Sequence, residues 1–256
     1  MITIKSEKEI ELMRISSKIT AETFLLVWSL IKPNISTAKL DEEIEKFIRS
    51  KGAVPAFKGL YGFPASACIS VNEEVVHGIP SRKRLLREGD IVGVDIGVNY
   101  KGYHGDCAFT FPVGQIDEEK KKLLKVTIES LYLGIQKAVD GNRVQDIGYA
   151  IQTYAESYNY GVVRELVGHG IGRSLHEEPQ VPNFGSPNRG PLLRAGMTLA
   201  IEPMVNQGTA EVKTLNDGWT IVTGDGLPSA HYEHTVLIQN GKAEILTEHN
   251  LKNEVF

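Results

Sequence analysis

At three places in this chain a carboxylate interrupts a run that otherwise reads as a buried β-strand. Asp95 lies in Ile91-Val92-Gly93-Val94-Asp95-Ile96, Glu202 in Leu199-Ala200-Ile201-Glu202-Pro203-Met204, and Glu233 in Tyr232-Glu233-His234-Thr235-Val236. An ionised carboxylate inside a strand is costly unless something positive meets it, and none of the three runs contains a lysine or arginine. A fourth acid, Asp106, sits in the strand-like run from Tyr103 to Val113, joined to the first strand by the turn-like Asn99-Tyr100-Lys101-Gly102. A turn centred between Tyr100 and Lys101 sets Asp95 directly opposite Asp106, with side-chain roots about 5 Å apart. Adjacent anions repel, and a cation between them relieves the repulsion. One salt-bridged aspartate beside one turn aspartate is the plainer alternative.

The segment Gly168-His169-Gly170-Ile171-Gly172-Arg173-Ser174-Leu175-His176 adds two imidazoles. It is not a dinucleotide loop, because Arg173 stands where the third glycine of G-x-G-x-x-G belongs. Its glycines let the backbone pack closely around His169. The spacing from His169 to His176 differs from the i, i+4 pair of H-E-x-x-H zinc proteases. A shared metal cluster accounts for Asp95, Asp106, His169, Glu202 and Glu233 together. Oxygen ligands with one imidazole suit manganese, iron, cobalt or zinc better than copper. The nucleophile elbow G-x-S-x-G and the phosphate loop G-x-x-x-x-G-K-[ST] are both missing.

The rest of the chain supplies a scaffold. Ser6-Glu7-Lys8-Glu9 is a capping box that opens a helix running to about Ile31, before Lys32-Pro33-Asn34. A second helix from about Thr37 carries Leu40, Ile44, Phe47 and Ile48 and ends at Gly52. Further helices are expected from about Asp117 to Val139 and Val144 to Tyr160, and strands at Leu199–Val205, Trp219–Val222 and Tyr232–Ile238. The order helix, helix, strands occurs twice, without a sequence repeat and without a linker. Residues 1–256 therefore read as a single α+β domain with a largely antiparallel sheet.

Charge and composition narrow the function classes. A net charge of −4 argues against a specific nucleic-acid partner. Two cysteines, Cys68 and Cys107, make no disulfide framework, are too few for a structural zinc site and fit a reducing compartment. The first residues lack the apolar stretch of a signal peptide, and no run of about 18 apolar residues spans a membrane. A cytoplasmic protein is expected. The basic segment Arg82-Lys83-Arg84-Leu85-Leu86-Arg87 reads as a solvated loop, with a ribosome or acidic-partner contact as the sharper alternative.

Taken together, Asp95 and Asp106, Gly168-His169-Gly170-Ile171-Gly172, Ile201-Glu202-Pro203 and Glu233-His234-Thr235 resemble the five-ligand signature of the methionine aminopeptidases. Val71-Asn72-Glu73 with His77-Gly78-Ile79-Pro80 is similar to that family's substrate-side segment. The likeness runs from about Lys5 to Glu248. Proline-specific relatives share the five ligands but usually carry a large extra N-terminal domain, and the second type of methionine aminopeptidase carries an insertion; the resemblance implies type I. It also implies the pita-bread fold, a central antiparallel sheet flanked by two pseudo-symmetric helix-helix-strand halves.

What the resemblance further implies is removal of the initiator methionine from the N-terminal peptides of nascent proteins by a monomer using two divalent metal ions, with small second residues preferred. It assigns Asp95 to one metal, His169 and Glu202 to the other, and bridging roles to Asp106 and Glu233. Glu202 doubles as general base, and His77 and His176 hydrogen-bond the substrate amide and the developing oxyanion. Phe57, Phe63, Cys68 and Trp219 are the expected methionine pocket. Family members often place cysteine and tyrosine before Cys68, where this chain has Phe57, Leu60, Tyr61 and Phe63, and Leu175 stands where an aromatic residue is frequent. These positions stay apolar and suit a thioether. A proline-specific peptidase of the same fold and a catalytically inactive binding protein are the rival readings.

Overall fold

A computed structural model describes residues 2–252. Its longest helix, α1 (Glu7–Leu30), begins where Glu9 accepts the backbone N–H and the hydroxyl of Ser6. It buries Ile10, Met13, Phe24 and Val27. Helix α2 (Thr37–Ser50) follows Ser36, whose hydroxyl oxygen accepts the Lys39 N–H. Leu40, Ile44 and Ile48 form its buried stripe, and Gly52 beyond it has φ +72°. Helix α3 (Glu118–Ile135) is shorter than the expected 117–139: Asp117 is its cap, accepting the Lys120 N–H, and turns follow Ile135. Helix α4 (Val144–Glu156) also stops early, because Gly161 belongs to a short strand with Val162. No described helix is long and apolar enough to cross a membrane.

The central sheet has nine strands. In spatial order it runs Val54–Pro55, Ile91–Tyr100, Tyr103–Pro112, Glu233–Leu237, Thr198–Ile201, Gly168–Gly170 and Glu177–Val181, with Cys68–Val71 on the second and Glu244–Ile245 on the fourth. Every pairing is antiparallel. Helix α1 packs on the hairpin 91–112, while α3 and α4 pack together against strands of the second half. The twice-repeated helix-helix-strand order thus becomes two halves of one layered α+β structure. Phe24, Leu40, Val94, Ile96, Phe109, Leu123, Ile147 and Val236 join in one core between helices and sheet.

The hairpin register differs from the sequence expectation by two residues. Asp95 pairs with Ala108, and Asp106 with Gly97. The turn is centred on Lys101-Gly102, with φ of 50° and 84°, the paired positive values of a two-residue hairpin loop whose twist matches the strands. A shift by two keeps each side chain on its face, so both carboxylates still project to the same side.

One expected strand divides at an acid. Leu199–Val205 becomes Thr198–Ile201 in the central sheet and Met204–Asn206 in a three-stranded sheet with Ser229–His231 and Gly161–Val162. The break falls at Glu202-Pro203, where proline has no N–H to give a ladder. The expected strand at Tyr232–Ile238 is observed as Glu233–Leu237, and Tyr232 separates it from Ser229–His231, which the sequence reading did not anticipate. The expected strand at 219–222 is observed as Ile221–Thr223, between Val212–Thr214 and Glu74–Val76.

Candidate metal centre and substrate cavity

Strand register alone gathers the five sequence-selected ligands. Asp95 pairs with Ala108, and Ala108 with Glu233. Two residues along, Asp106 is tied to Thr235, whose hydroxyl accepts the Asp106 N–H at 3.0 Å and donates to its carbonyl at 2.7 Å. Thr235 pairs with Ala200, and Ala200 with His169. Glu202 lies two residues beyond Ala200. Since side chains alternate with period two, Asp95, Asp106, His169, Glu202 and Glu233 all leave the same face of the sheet in two neighbouring rows. The positions between them are small (Gly97, Ala108, Ala200), and the Phe57 ring packs into the room over Gly97.

Close approach of strands makes this possible around His169. A Cβ at Gly168 would strike the carbonyl of Ala200, and one at Gly170 the carbonyl of Glu178. The glycines flanking the imidazole are thus required by backbone packing, as the sequence suggested. His169 Nε2 stands 3.6 Å from Glu202 Oε1 and 3.8 Å from Asp106 Oδ2. Ligand atoms of Asp106, His169 and Glu233 all lie within 4.8 Å of one another. Asp95 lines the same cavity.

Electrostatics at this face are those of anions without counter-ions. Burial, then repulsion from Asp106 and Glu202, pushes the Asp95 carboxyl far above the usual carboxylate range. Glu202 and Glu233 are raised well above it for the same two reasons, burial first and neighbouring acids second. Asp106 is raised by burial to about 7. His169 is lowered to about 4, by burial and then by His176, so its ring is neutral and its lone pair free near pH 7. Asp95 Oδ1, Asp106 Oδ1 and Glu233 Oε1 are buried with no hydrogen-bond partner.

A cavity of about 280 Å³ lies over this face. Its wall combines the five groups with Phe57, Leu60, Tyr61, Phe63, Leu175, Trp219, His77 and His176. Phe63 meets Trp219 edge-on at 5.1 Å. Tyr61, 77% exposed, lies parallel to His176 at 6.2 Å, and His176 meets His169 edge-on at 4.5 Å. His77 holds a left-handed backbone, φ 59°, a conformation that costs energy for a residue with a side chain and gathers at functional sites. Burial lowers the pKa of both His77 and His176. Cys68 packs in the apolar cluster with Phe57, Phe63 and Leu175, but its side chain is not in the cavity wall.

The sequence reading gave no role to His231. Its Nε2 comes 3.5 Å from Glu202 Oε2, and burial lowers its pKa to about 3. Its position two residues before Glu233 was the available signal, since alternate strand residues share a face. The kink at Tyr232 hid it.

The sequence profile of metallopeptidase family M24 matches residues 11–240. The methionine aminopeptidase of Clostridium acetobutylicum is 56% identical over 247 residues, covering 96% of this chain and 99% of that protein. This chain belongs to metallopeptidase family M24, among the methionine aminopeptidases. Methionine aminopeptidase 1 of Bacillus subtilis is 54% identical, covering 96% of this chain and 99% of the relative. The crystal structure of the methionine aminopeptidase from Thermotoga maritima superposes with a TM-score of 0.95 at 46% identity, over 97% of this chain and 100% of that one. The pita-bread fold expected from the sequence is the one observed.

Membership of a metallopeptidase family makes this chain a hydrolase with a divalent metal cofactor. The cavity fits such an ion. Its orphaned carboxylate oxygens are hard donors, and four acids with no lysine or arginine in the cavity wall are the arrangement a divalent cation stabilises.

Proposed function

We infer that this M24 peptidase removes the N-terminal methionine from newly made proteins, and that Asp95, Asp106, His169, Glu202 and Glu233 hold two divalent ions for the purpose. The observation that carries this is the convergence of five such groups on one sheet face beneath an apolar cavity. Four carboxylates and one imidazole offer more donor atoms than a single ion takes, which supports a dinuclear site of manganese, iron, cobalt or zinc. When bound, the ions supply Lewis-acid polarisation of a carbonyl and a lowered pKa for water.

The chain's own residues do the remainder. Phe57, Leu60, Phe63, Leu175 and Trp219 enclose an unbranched thioether side chain and exclude water from it. Cys68 supports that wall from behind. The neutral rings of His77 and His176 hydrogen-bond the scissile amide and the oxygen on which charge develops. Glu202 accepts a proton from the attacking water and passes it to the leaving nitrogen. His231, beside its second oxygen, fixes the orientation of that carboxylate. Tyr61 at the mouth narrows the space for the second residue of the substrate, in keeping with a preference for Gly, Ala or Ser there.

A peptide panel tests the reading. Free methionine should appear from Met-Ala-Ser only when a divalent ion is present, with little cleavage of an X-Pro peptide. Folded protein that releases no methionine with manganese, iron, cobalt or zinc would reject the assignment, and preferential X-Pro cleavage would move it to the proline-specific branch.

A further inference from the structure

On the reverse of the same sheet lies a second group of ligand-type side chains that the peptidase chemistry leaves unused. Cys107 and His234 are paired neighbours on strands 103–112 and 233–237. Being the next residues after Asp106 and Glu233, they point to the opposite face, into the helix-side core. His249 reaches the same spot from the segment after Glu244–Ile245. Cys107 Sγ is 3.7 Å from His234 Nδ1 and 3.8 Å from His249 Nε2, and the three ligand atoms lie within 4.8 Å of one another. All three residues are buried.

These separations have a chemical meaning. An ion about 2.3 Å from a thiolate sulfur and about 2.0–2.1 Å from an imidazole nitrogen sets sulfur and nitrogen about 3.5–3.8 Å apart, for angles between tetrahedral and trigonal. The observed spacings fall at the upper end of that range. The outer partners also fit. Tyr132 Oη lies 3.4 Å from His234 Nε2, the nitrogen turned away from the cluster, and so can hold the ring in the tautomer that keeps the proton off Nδ1, whose lone pair accepts from the Thr247 hydroxyl until an ion displaces it. The Thr247 hydroxyl stands 3.0 Å from Nδ1. Phe24 and Phe109 pack on the His249 ring at 5.5 and 5.3 Å. His249 Nδ1 is buried with no partner. Hydrogen bonds to Thr247, Tyr132 and the Glu233 carbonyl offset only part of the desolvation of a thiol and two imidazoles in an aromatic core.

We propose that Cys107 Sγ, His234 Nδ1 and His249 Nε2 form a second, structural metal site for a thiolate-seeking ion, zinc in the first place, on the face of the sheet opposite the catalytic cavity. Binding replaces the thiol proton: the Cys107 S–H, which in the metal-free chain donates to the Glu233 carbonyl at 2.9 Å, gives up H⁺ as the sulfur–metal bond forms. The ion then clips the 246–252 segment to the central sheet, directly behind Asp106 and Glu233. Because the three groups are closed from solvent, the ion enters as the chain folds.

Cobalt(II) reports on this site without reference to activity, since a cobalt–thiolate bond gives a charge-transfer absorption that carboxylate and imidazole ligands do not. The full chain is produced in zinc-depleted, cobalt-supplemented medium. The expected result is a thiolate-to-cobalt band, lost in Cys107→Ala, weakened in His249→Gln and kept in Cys68→Ala, with methionine release by the first two variants within about twofold of the parent. The proposal falls if the parent shows no band while its cobalt-dependent peptidase activity is present, or if the band survives in Cys107→Ala and disappears in Cys68→Ala. A band in a protein that releases no methionine would overturn the functional reading and leave this site standing. Should Cys107→Ala not fold, His249→Gln decides by the same band.

Discussion

The two faces of the central sheet are made by the same strands and obey opposite rules. On one, Val94, Ile96, Phe109 and Val236 are closed under helices and pack as an apolar core around the Cys107, His234 and His249 cluster. On the other, the alternate residues Asp95, Asp106 and Glu233 stand beneath a cavity with carboxylate oxygens that nothing in the protein satisfies. The helix side supplies the folding free energy, through burial worth roughly 25 cal/mol per Å² of apolar surface. The cavity side draws on that stability to hold groups that repel one another. A rigid, overdetermined strand register keeps the acids close despite their repulsion.

Four substitutions or conditions break or sharpen this contrast. The largest effect is expected at Asp106→Asn or Glu233→Gln on the cavity face. Loss of a ligand carboxylate removes several kcal/mol of transition-state stabilisation, so kcat/KM for Met-Ala-Ser should fall about a thousandfold or more. The same change should leave the metal-free protein at least as stable in a thermal melt, because a repelling anion is gone. An active variant, or one with a much lower melting temperature, would contradict the division of labour.

On the helix side the pattern should invert. Phe109→Ala, at a core position packed against Phe111, Tyr232 and His249, should cost about 3–5 kcal/mol in urea unfolding. At a temperature where the variant is folded, kcat/KM should stay within about twofold. A large catalytic defect there would mean that the faces are not separable.

His176→Gln is an intermediate case, since His176 lines the cavity and holds no metal on the proposed reading. Removing one hydrogen-bond donor to a developing oxyanion costs about a hundredfold in kcat, with metal content by elemental analysis unchanged. Loss of metal in that variant would place His176 among the ligands.

The smallest effect is a pH trend. Burial pushes the Asp106 carboxyl up from its ordinary 3.8 to about 7. Its proton therefore favours the folded state, a contribution fully present below about pH 4 and lost as pH rises toward and through 7. A divalent ion takes the place of that proton. The rise in melting temperature on adding manganese should grow from pH 5 to pH 8, by a few degrees in total. A rise independent of pH would show that the ion binds without displacing protons from the acid cluster.

The site was more legible in the sequence than the architecture around it. Acids in otherwise apolar runs and a glycine-framed imidazole announce themselves because each is costly alone, so Asp95, Asp106, His169, Glu202 and Glu233 could be selected together from one chain. The hairpin register could not be read, because Asn99-Tyr100-Lys101-Gly102 admits two turn centres one residue apart, which shift the pairing by two and both keep the acids on one face. His231 was passed over because the chain changes sheets at Tyr232, and a switch between sheets leaves no mark in strand periodicity. Cys68 was selected for its neighbours in sequence, whereas the structure puts Phe57, Phe63 and Leu175 around it and leaves the cavity wall to them.

By itself, then, the sequence determined which side chains are costly to bury without a cation, since burial of a carboxylate is a cost fixed by residue type and local pattern. It also determined the helices, whose caps and apolar stripes are local. Tertiary structure decided how those side chains meet: the small residues Gly97, Ala108 and Ala200 that make room between them, the loop carrying Phe57 to Phe63 that roofs the apolar end, and the partnership of Cys107 and His234 with His249. Each of these depends on which distant strand or segment lies alongside, and that is settled only when the whole chain packs.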